Sequence, residues 1–164
     1  MPTIDDVKAF LTGRGIAVLE FEAPTPTSET AARAVGCSPG EIAKTVLFVV
    51  GATPVAVVTS GDVKVRGSRL KAALGLSGKV RLPTPDEVER HTGYAPGGVC
   101  PFLLPAATRV AVDASLRRFP VVYAAGGNDH SAVPITVDRL LQITNGSEVD
   151  ACEPLIVAGK GVPG

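Results

Sequence analysis

Apolar positions along this chain change period several times, and each change marks an element. Ile4, Val7, Phe10 and Leu11 recur at helical spacing, Thr3 stands at the cap position, and Asp5 and Asp6 occupy the first turn. With Gly13 and Gly15 following, a helix is predicted over 3–13. Residues 17–22 (AVLEFE) alternate and predict a strand, which APTPT interrupts. Residues 28–36 predict a second helix, capped by Ser28 and stopped by Gly36. The clearest signal is central. Val46 to Val50 are all apolar, mostly β-branched or aromatic, and VAVVTS at 55–60 returns after a turn at Gly51 to Pro54. Strands over 45–50 and 55–60 are predicted to pair as a hairpin in the middle of a sheet.

Further helices are predicted over 68–75, 84–93 and 136–144. In the second, Thr84 caps, Pro85 takes the first helical position and acids fill the first turn; in the third, Thr136 caps. RVAVD at 109–113 and PVVYAA at 120–125 read as short strands. YAPGGVCPF at 94–102 is a loop dense in Gly and Pro, and 126–136 is a second Gly-rich loop leading into a strand. The tail from Cys152 is predicted to be loosely held. Irregular mixing of helices and strands predicts an α+β (mixed α/β) fold with a central, largely antiparallel sheet surrounded by helices.

Composition narrows the classes. A chain of 164 residues, 45% hydrophobic and 20% charged, supports one domain with a real core and excludes disorder. Sixteen basic residues balance sixteen acidic ones, so the surplus that accompanies wrapping of a duplex is missing; DNA is not an expected partner, whereas contact with one end of an RNA remains open. Cys37, Cys100 and Cys152 form no CxxC pair, which argues against a disulfide framework or zinc knuckle and suits a reducing cytoplasm. No apolar run approaches membrane-spanning length, and the first ten residues lack a signal-peptide pattern. No membrane partner, metal or cofactor is expected.

A few positions carry chemistry. Lys44, followed by Thr45, puts a flexible cation at the mouth of a core strand, where a solvated lysine is the ordinary reading. Gly97-Gly98-Val99-Cys100-Pro101 lets backbone N–H groups approach an anion or oxyanion, although a GG pair is also an ordinary turn, and its spacing fits neither a P-loop nor a dinucleotide fingerprint. Gly126-Gly127 follows a strand directly, a common place for a ligand. Asp129 and His130 are adjacent, so their side chains are expected to diverge, and no nucleophile elbow accompanies them. His91 sits late in a helix, where it serves the terminal carbonyls. Cys100 is a candidate nucleophile only if a base such as His130 reaches it; a semi-buried thiol is the simpler reading.

The order of these pieces resembles the YbaK family, also called the prolyl-tRNA-synthetase-associated editing domain. The resemblance runs through AKTVLF, the hairpin, SRLKAALG, TGYAPGGVCPF and AAGGNDHSAVPIT to a final short helix, over roughly residues 3–145. It implies a mixed α/β fold and trans-editing: hydrolysis of the ester that joins a wrong amino acid to its tRNA. It places the family's functional lysine on Lys44, its Gly-Gly-x-x-Pro loop on Gly97, Gly98 and Pro101, and its second Gly loop on Gly126 and Gly127. Lys44 and Gly98 are then the expected catalytic positions. Thr45, Gly97, Val99, Cys100, Pro101, Gly126, Gly127 and His130 are the expected substrate-binding ones. The aminoacylated acceptor end of a tRNA is the implied partner, with an aminoacyl-tRNA synthetase as a further one.

Two departures matter. Several family members carry serine where this chain has Cys100, and GGNDHSAVP differs from the Arg/Gly-rich form of the cysteinyl-tRNA-specific branch, so that substrate is not assigned. Competing readings are a non-catalytic module binding a nucleotide, an RNA end or a protein, and, more weakly, a cysteine hydrolase using Cys100.

Overall fold

The computed structural model describes residues 2–155. Helix α1 spans Ile4–Thr12, with Thr3 and Asp6 forming a reciprocal capping box. Strand β1 is only Leu19–Glu20, and α2 covers Ser28–Val35. Thr27 rather than Ser28 caps α2, again through a box, here with Thr30. A 3-10 turn at Pro39–Glu41 delivers the chain into β2 (Ile42–Val50), which returns as β3 (Thr53–Ser60). β4 (Val63–Val65), α3 (Gly67–Leu74), β5 (Val80–Arg81) and α4 (Pro85–Thr92) follow. After the long loop come β6 (Arg109–Asp113), β7 (Val122–Ala124), β8 (Ser131–Ile135), α5 (Val137–Thr144), β9 (Ser147–Val149) and β10 (Cys152–Pro154).

The main sheet runs β1-β8-β7-β2-β3-β6-β9, with β5 also on β2. It is mixed: β2–β7, β3–β6 and β6–β9 are parallel, whereas β1–β8, β7–β8, β2–β3 and β2–β5 are antiparallel. The sheet is central and mixed as expected, but its antiparallel character is carried by a bare majority of pairings. The tail expectation needs correction. Cys152–Pro154 is not loose: it pairs antiparallel with β4, and Ala151 N donates to the buried Asp113 carboxylate at 2.9 Å. Residues 156–164 lie outside the described residues.

Apolar residues cover both faces of the sheet. On one face Val58, Val112, Val122 and Val133 pack with Val7 and Leu11 of α1 and Leu140 of α5. On the other, Val50, Val55 and Val57 pack with Leu70 of α3 and with Val149 and Ala151. β3 is buried from Pro54 to Ser60, as its position deep in the sheet demands.

β2 is different, and its edge positions the site. Along one edge it pairs continuously with β3 from Ala43 to Val50. Along the other it pairs with β7 only at Ile42 and Ala43, and with β5 only at Val49 and Val50. From Lys44 to Phe48 that edge meets no strand among the described residues. Sheet and loop therefore part just where the chain of β7 leaves into the Gly126-Gly127 loop.

Candidate functional site

This fork opens a cavity of about 390 Å³. Ile42, Ala43, Lys44 and Thr45 form its β2 wall, Gly97 and Val99 a second wall, and Asn128, Asp129 and Ser131 a third. A fourth wall, from Thr25 to Ser28, closes it. The sequence reads Thr25 to Thr27 as part of a chain break and Ser28 as a helix cap, not as a cavity wall. Backbone bonds from Phe21 N to His130 O (2.8 Å) and Thr25 N to Asp129 O (2.6 Å) tie it to the loop after β7. Its PTPTS hydroxyl pattern was the available signal; pairing across about a hundred residues was not readable.

Lys44 is half-buried, and its Nζ donates to the Val63 carbonyl at 3.1 Å. Val63 opens β4, which β10 clamps from the far side. Burial holds the Lys44 ammonium below the ordinary lysine pKa, because the charged form loses water; nearby Cys152 and Asp62 offset this in part. Thr45 Oγ1 is buried and makes no hydrogen bond among the described residues, although Thr45 lines the cavity.

The Gly loop has a specific local cause. Ala95-Pro96-Gly97-Gly98 has Pro at the second turn position and Gly97 at φ +90° in the third, with Gly98 N donating to Ala95 O at 2.9 Å. This is the residue pattern of a type II turn, which requires glycine at its third position. The consequence is a correction. Gly98, the expected oxyanion donor, spends its N–H closing the turn and is not part of the cavity lining. The N–H groups of Gly97 and Val99 have no partner among the described residues, and both residues line the cavity.

The remaining expected residues separate. Cys100 is fully buried in the core beside Tyr94 and Phe102, away from the cavity lining, and burial pushes its thiol up to about 11. A thiol so placed faces the core rather than the cavity and is held in its protonated, weakly nucleophilic form. Pro101 lines a different cavity, with Phe102 to Ala106. Gly126 and Gly127 shape the site from behind: Gly126 N donates to Ser131 Oγ at 2.9 Å, and Gly127, at φ +108°, leaves no room for a β-carbon, which would come within 3.1 Å of Val7.

His130 does not line the cavity, yet its neighbours Asp129 and Ser131 do. Asp129 and His130 do not diverge: Asp129 Oδ1 lies 3.0 Å from His130 Nδ1, and Asn128 Nδ2 lies 3.3 Å from Nε2. The loop bends so that the three side chains converge. Among the described residues no group of three His, Cys, Asp or Glu side chains is placed to hold a metal ion.

Comparison with known proteins decides the family. The model of the aminoacyl-tRNA editing domain matches residues 22–143. The chain belongs to that family. It is 36% identical over 138 residues to the uncharacterized protein YwhH of Bacillus subtilis, covering 83% of this chain and 87% of that one. It is 37% identical over 106 residues to the proline–tRNA ligase of Nitratidesulfovibrio vulgaris strain DP4, covering 63% of this chain but 18% of the ligase. Among solved structures, a candidate trans-editing enzyme for prolyl-tRNA synthetase superposes with a TM-score of 0.83 at 32% identity, covering 93% of this chain and 98% of that one. The hypothetical protein APE2540 superposes at 0.81 with 32% identity, over 90% and 99% of the two chains. The fold and the membership expected from the sequence are thus borne out.

Proposed function

We propose that this protein is an aminoacyl-tRNA deacylase acting in trans, hydrolysing the ester of a mischarged tRNA. The observation that carries the reading is the cavity itself. In a chain of the editing-domain family, half-buried Lys44 and two residues with unpaired backbone N–H groups among the described residues, Gly97 and Val99, line one cavity beside the open edge of β2. Family membership and the likeness to a candidate trans-editing enzyme support it.

In this reading the 3′-terminal aminoacyl ester enters the cavity. The Lys44 ammonium leaves the Val63 carbonyl to meet phosphate or ribose oxygen as a compact point charge. Gly97 and Val99 N–H groups polarise the ester carbonyl and bind the oxyanion that forms as water attacks; losing one such donor costs about 3 kcal/mol of barrier. The intermediate then collapses, the C–O bond to the ribose breaks, and the ribose oxygen takes up a proton. His130, whose ring nitrogens face Asp129 and Asn128, takes no step; the proton that the ribose oxygen takes up is the one lost by the attacking water. Cys100 has no step. A partnership with prolyl-tRNA synthetase follows from the same kinship.

The test is a panel of mischarged tRNAs, following loss of the ester with time. Hydrolysis of at least one member, abolished in Lys44→Ala, supports the reading. Saturable binding with no hydrolysis across the panel assigns the cavity to a non-catalytic module instead.

A further inference from the structure

Charge in this neutral chain is segregated. Residues 63–85 hold six of the sixteen basic residues, Lys64, Arg66, Arg69, Lys71, Lys79 and Arg81, and no acidic one. The rest of the chain carries ten basic residues against sixteen acidic. The segment forms β4, α3 and β5, a layer whose apolar side, Val65, Leu70, Leu74, Leu76 and Val80, packs on the second core. Its basic side chains are exposed, apart from half-buried Lys71.

Two of the six are compensated: Arg66 pairs with Glu153 at 2.9 Å, and Arg81 with Glu87 at 2.7 Å. The other four make no salt bridge among the described residues, although Lys64 stands opposite Glu153 on the β4–β10 ladder, a carboxylate bonded to Arg66. Arg69 and Lys71 donate to the carbonyls of Cys152 and Gly78, each at 3.0 Å, which orders the side chains and leaves their charge uncompensated. Of the adjoining carboxylates, Asp62 is taken by Arg118 at 2.6 Å, and Asp150 is exposed between β9 and β10. The face also joins the cavity physically. Val63, whose carbonyl holds the Lys44 ammonium, immediately precedes Lys64.

We propose that the face formed by β4, α3 and β5 is the docking surface for the phosphate backbone of the tRNA acceptor stem, with Lys64, Arg69, Lys71 and Lys79 as its phosphate contacts. The inference rests on the deacylase reading and adds to it the path of the RNA away from the cavity. A polyanion fits this surface because four uncompensated cations recur along one layer, while the acids are concentrated elsewhere. Whole-chain neutrality hides this arrangement. It limits the contact to one face rather than a wrapped duplex.

The experiment compares the full chain with a Lys64→Ala/Lys79→Ala double variant on two substrates: a mischarged tRNA, and the same amino acid esterified to a 3′-terminal trinucleotide. On tRNA the variant should show KM raised roughly tenfold at unchanged kcat, and a salt dependence shallower by about one unit of log–log slope per lysine removed. On the trinucleotide its kinetics should match the parent's. Equal losses on both substrates, or an unchanged KM and salt slope on tRNA, overturn the proposal. If the parent hydrolyses neither substrate, the deacylase reading fails on its own, and fluorescence anisotropy with uncharged tRNA then decides the surface. Weaker binding by the double variant supports it, and equal binding overturns it.

Discussion

One Gly/Pro loop serves two cavities, and they differ in kind. Its first half puts Gly97 and Val99 on the cavity that also holds Lys44, Thr45, Asp129 and Ser131. Its second half puts Pro101 and Phe102 to Ala106 on a cavity of about 570 Å³, larger than the first at about 390 Å³. The larger one is lined by Phe10, Phe102 and other apolar residues on one part and by Thr108, Thr144, Asn145 and Ser147 on another, with Arg109 its single ionisable residue. Cys100 is buried between the halves. Size therefore does not identify the working site. The proposed site is set apart instead by the interruption of a strand edge, beside which Lys44, Thr45, Gly97 and Val99 line the cavity.

The largest expected effect falls on the first cavity. Lys44→Ala should reduce deacylation of the best mischarged tRNA by several orders of magnitude. It should also change stability by no more than about 1 kcal/mol, since a lost charged hydrogen bond is offset by relief of burial. Lys44→Arg should be impaired as well, because a planar fork does not replace an ammonium in a shaped site. Paired thermal melts and ester-release rates check both; a parent rate in Lys44→Ala would reduce Lys44 to a strand-end lysine packed on Val63.

The next effect is in pH. Lys44 has a native pKa below its unfolded value of 10.5 because burial disfavours the charge. Between the two values the unfolded chain binds more protons, so this group makes stability rise with pH through that window; below the native value its burial is a constant cost. Activity has the opposite sign. If the ammonium is needed, enzymatic ester release should fall as pH climbs through the native value, short of 10.5. After subtraction of the spontaneous rate, an alkaline limb at or above 10.5 contradicts the half-buried setting of Lys44.

The contrast between the cavities also explains what the sequence discloses. The hairpin could be read because Val46 to Val50 and Val55 to Val58 are continuous apolar runs, and the helices because Thr3, Thr84 and Thr136 cap them. β4, β5, β9 and β10 were missed because two or three residues, many of them polar, carry no period. β2 starts at Ile42, three residues before the predicted strand, because Ile42 and Ala43 pair with β7, a partner distant in sequence. Lys44 was legible as a charge at the mouth of an apolar strand. The roles of Gly98 and Cys100 were not. Gly98 closes a turn with its N–H and Cys100 is buried in the core, placements that follow from three-dimensional packing. The wall from Thr25 to Ser28 is brought in by distant backbone bonds.

Cys100 tests the partition between the halves of the loop. Cys100→Ala removes a buried sulfur from the cluster around Tyr94 and Phe102, so stability should fall by about 1–2 kcal/mol, near the low end for core truncations. Deacylation at a temperature where the variant is folded should stay within about twofold of the parent, because the thiol faces core rather than substrate. Complete loss in the folded variant, together with a thioester trapped on Cys100 of the parent, would restore the cysteine-hydrolase reading.

The smallest effect is expected in the second cavity. Ala106 is exposed on its lining, so Ala106→Trp places a large ring across the cavity without displacing any core side chain. Surface changes of this kind shift stability by about 0.5 kcal/mol or less. Ester hydrolysis should keep its kcat and KM, because Gly97, Val99 and Lys44 lie on the far side of buried Cys100 and Phe102. A raised KM with the fold intact would mean that substrate crosses the loop and uses both cavities. The division between a working cavity at the open edge of β2 and a bystander cavity across the loop would then be withdrawn.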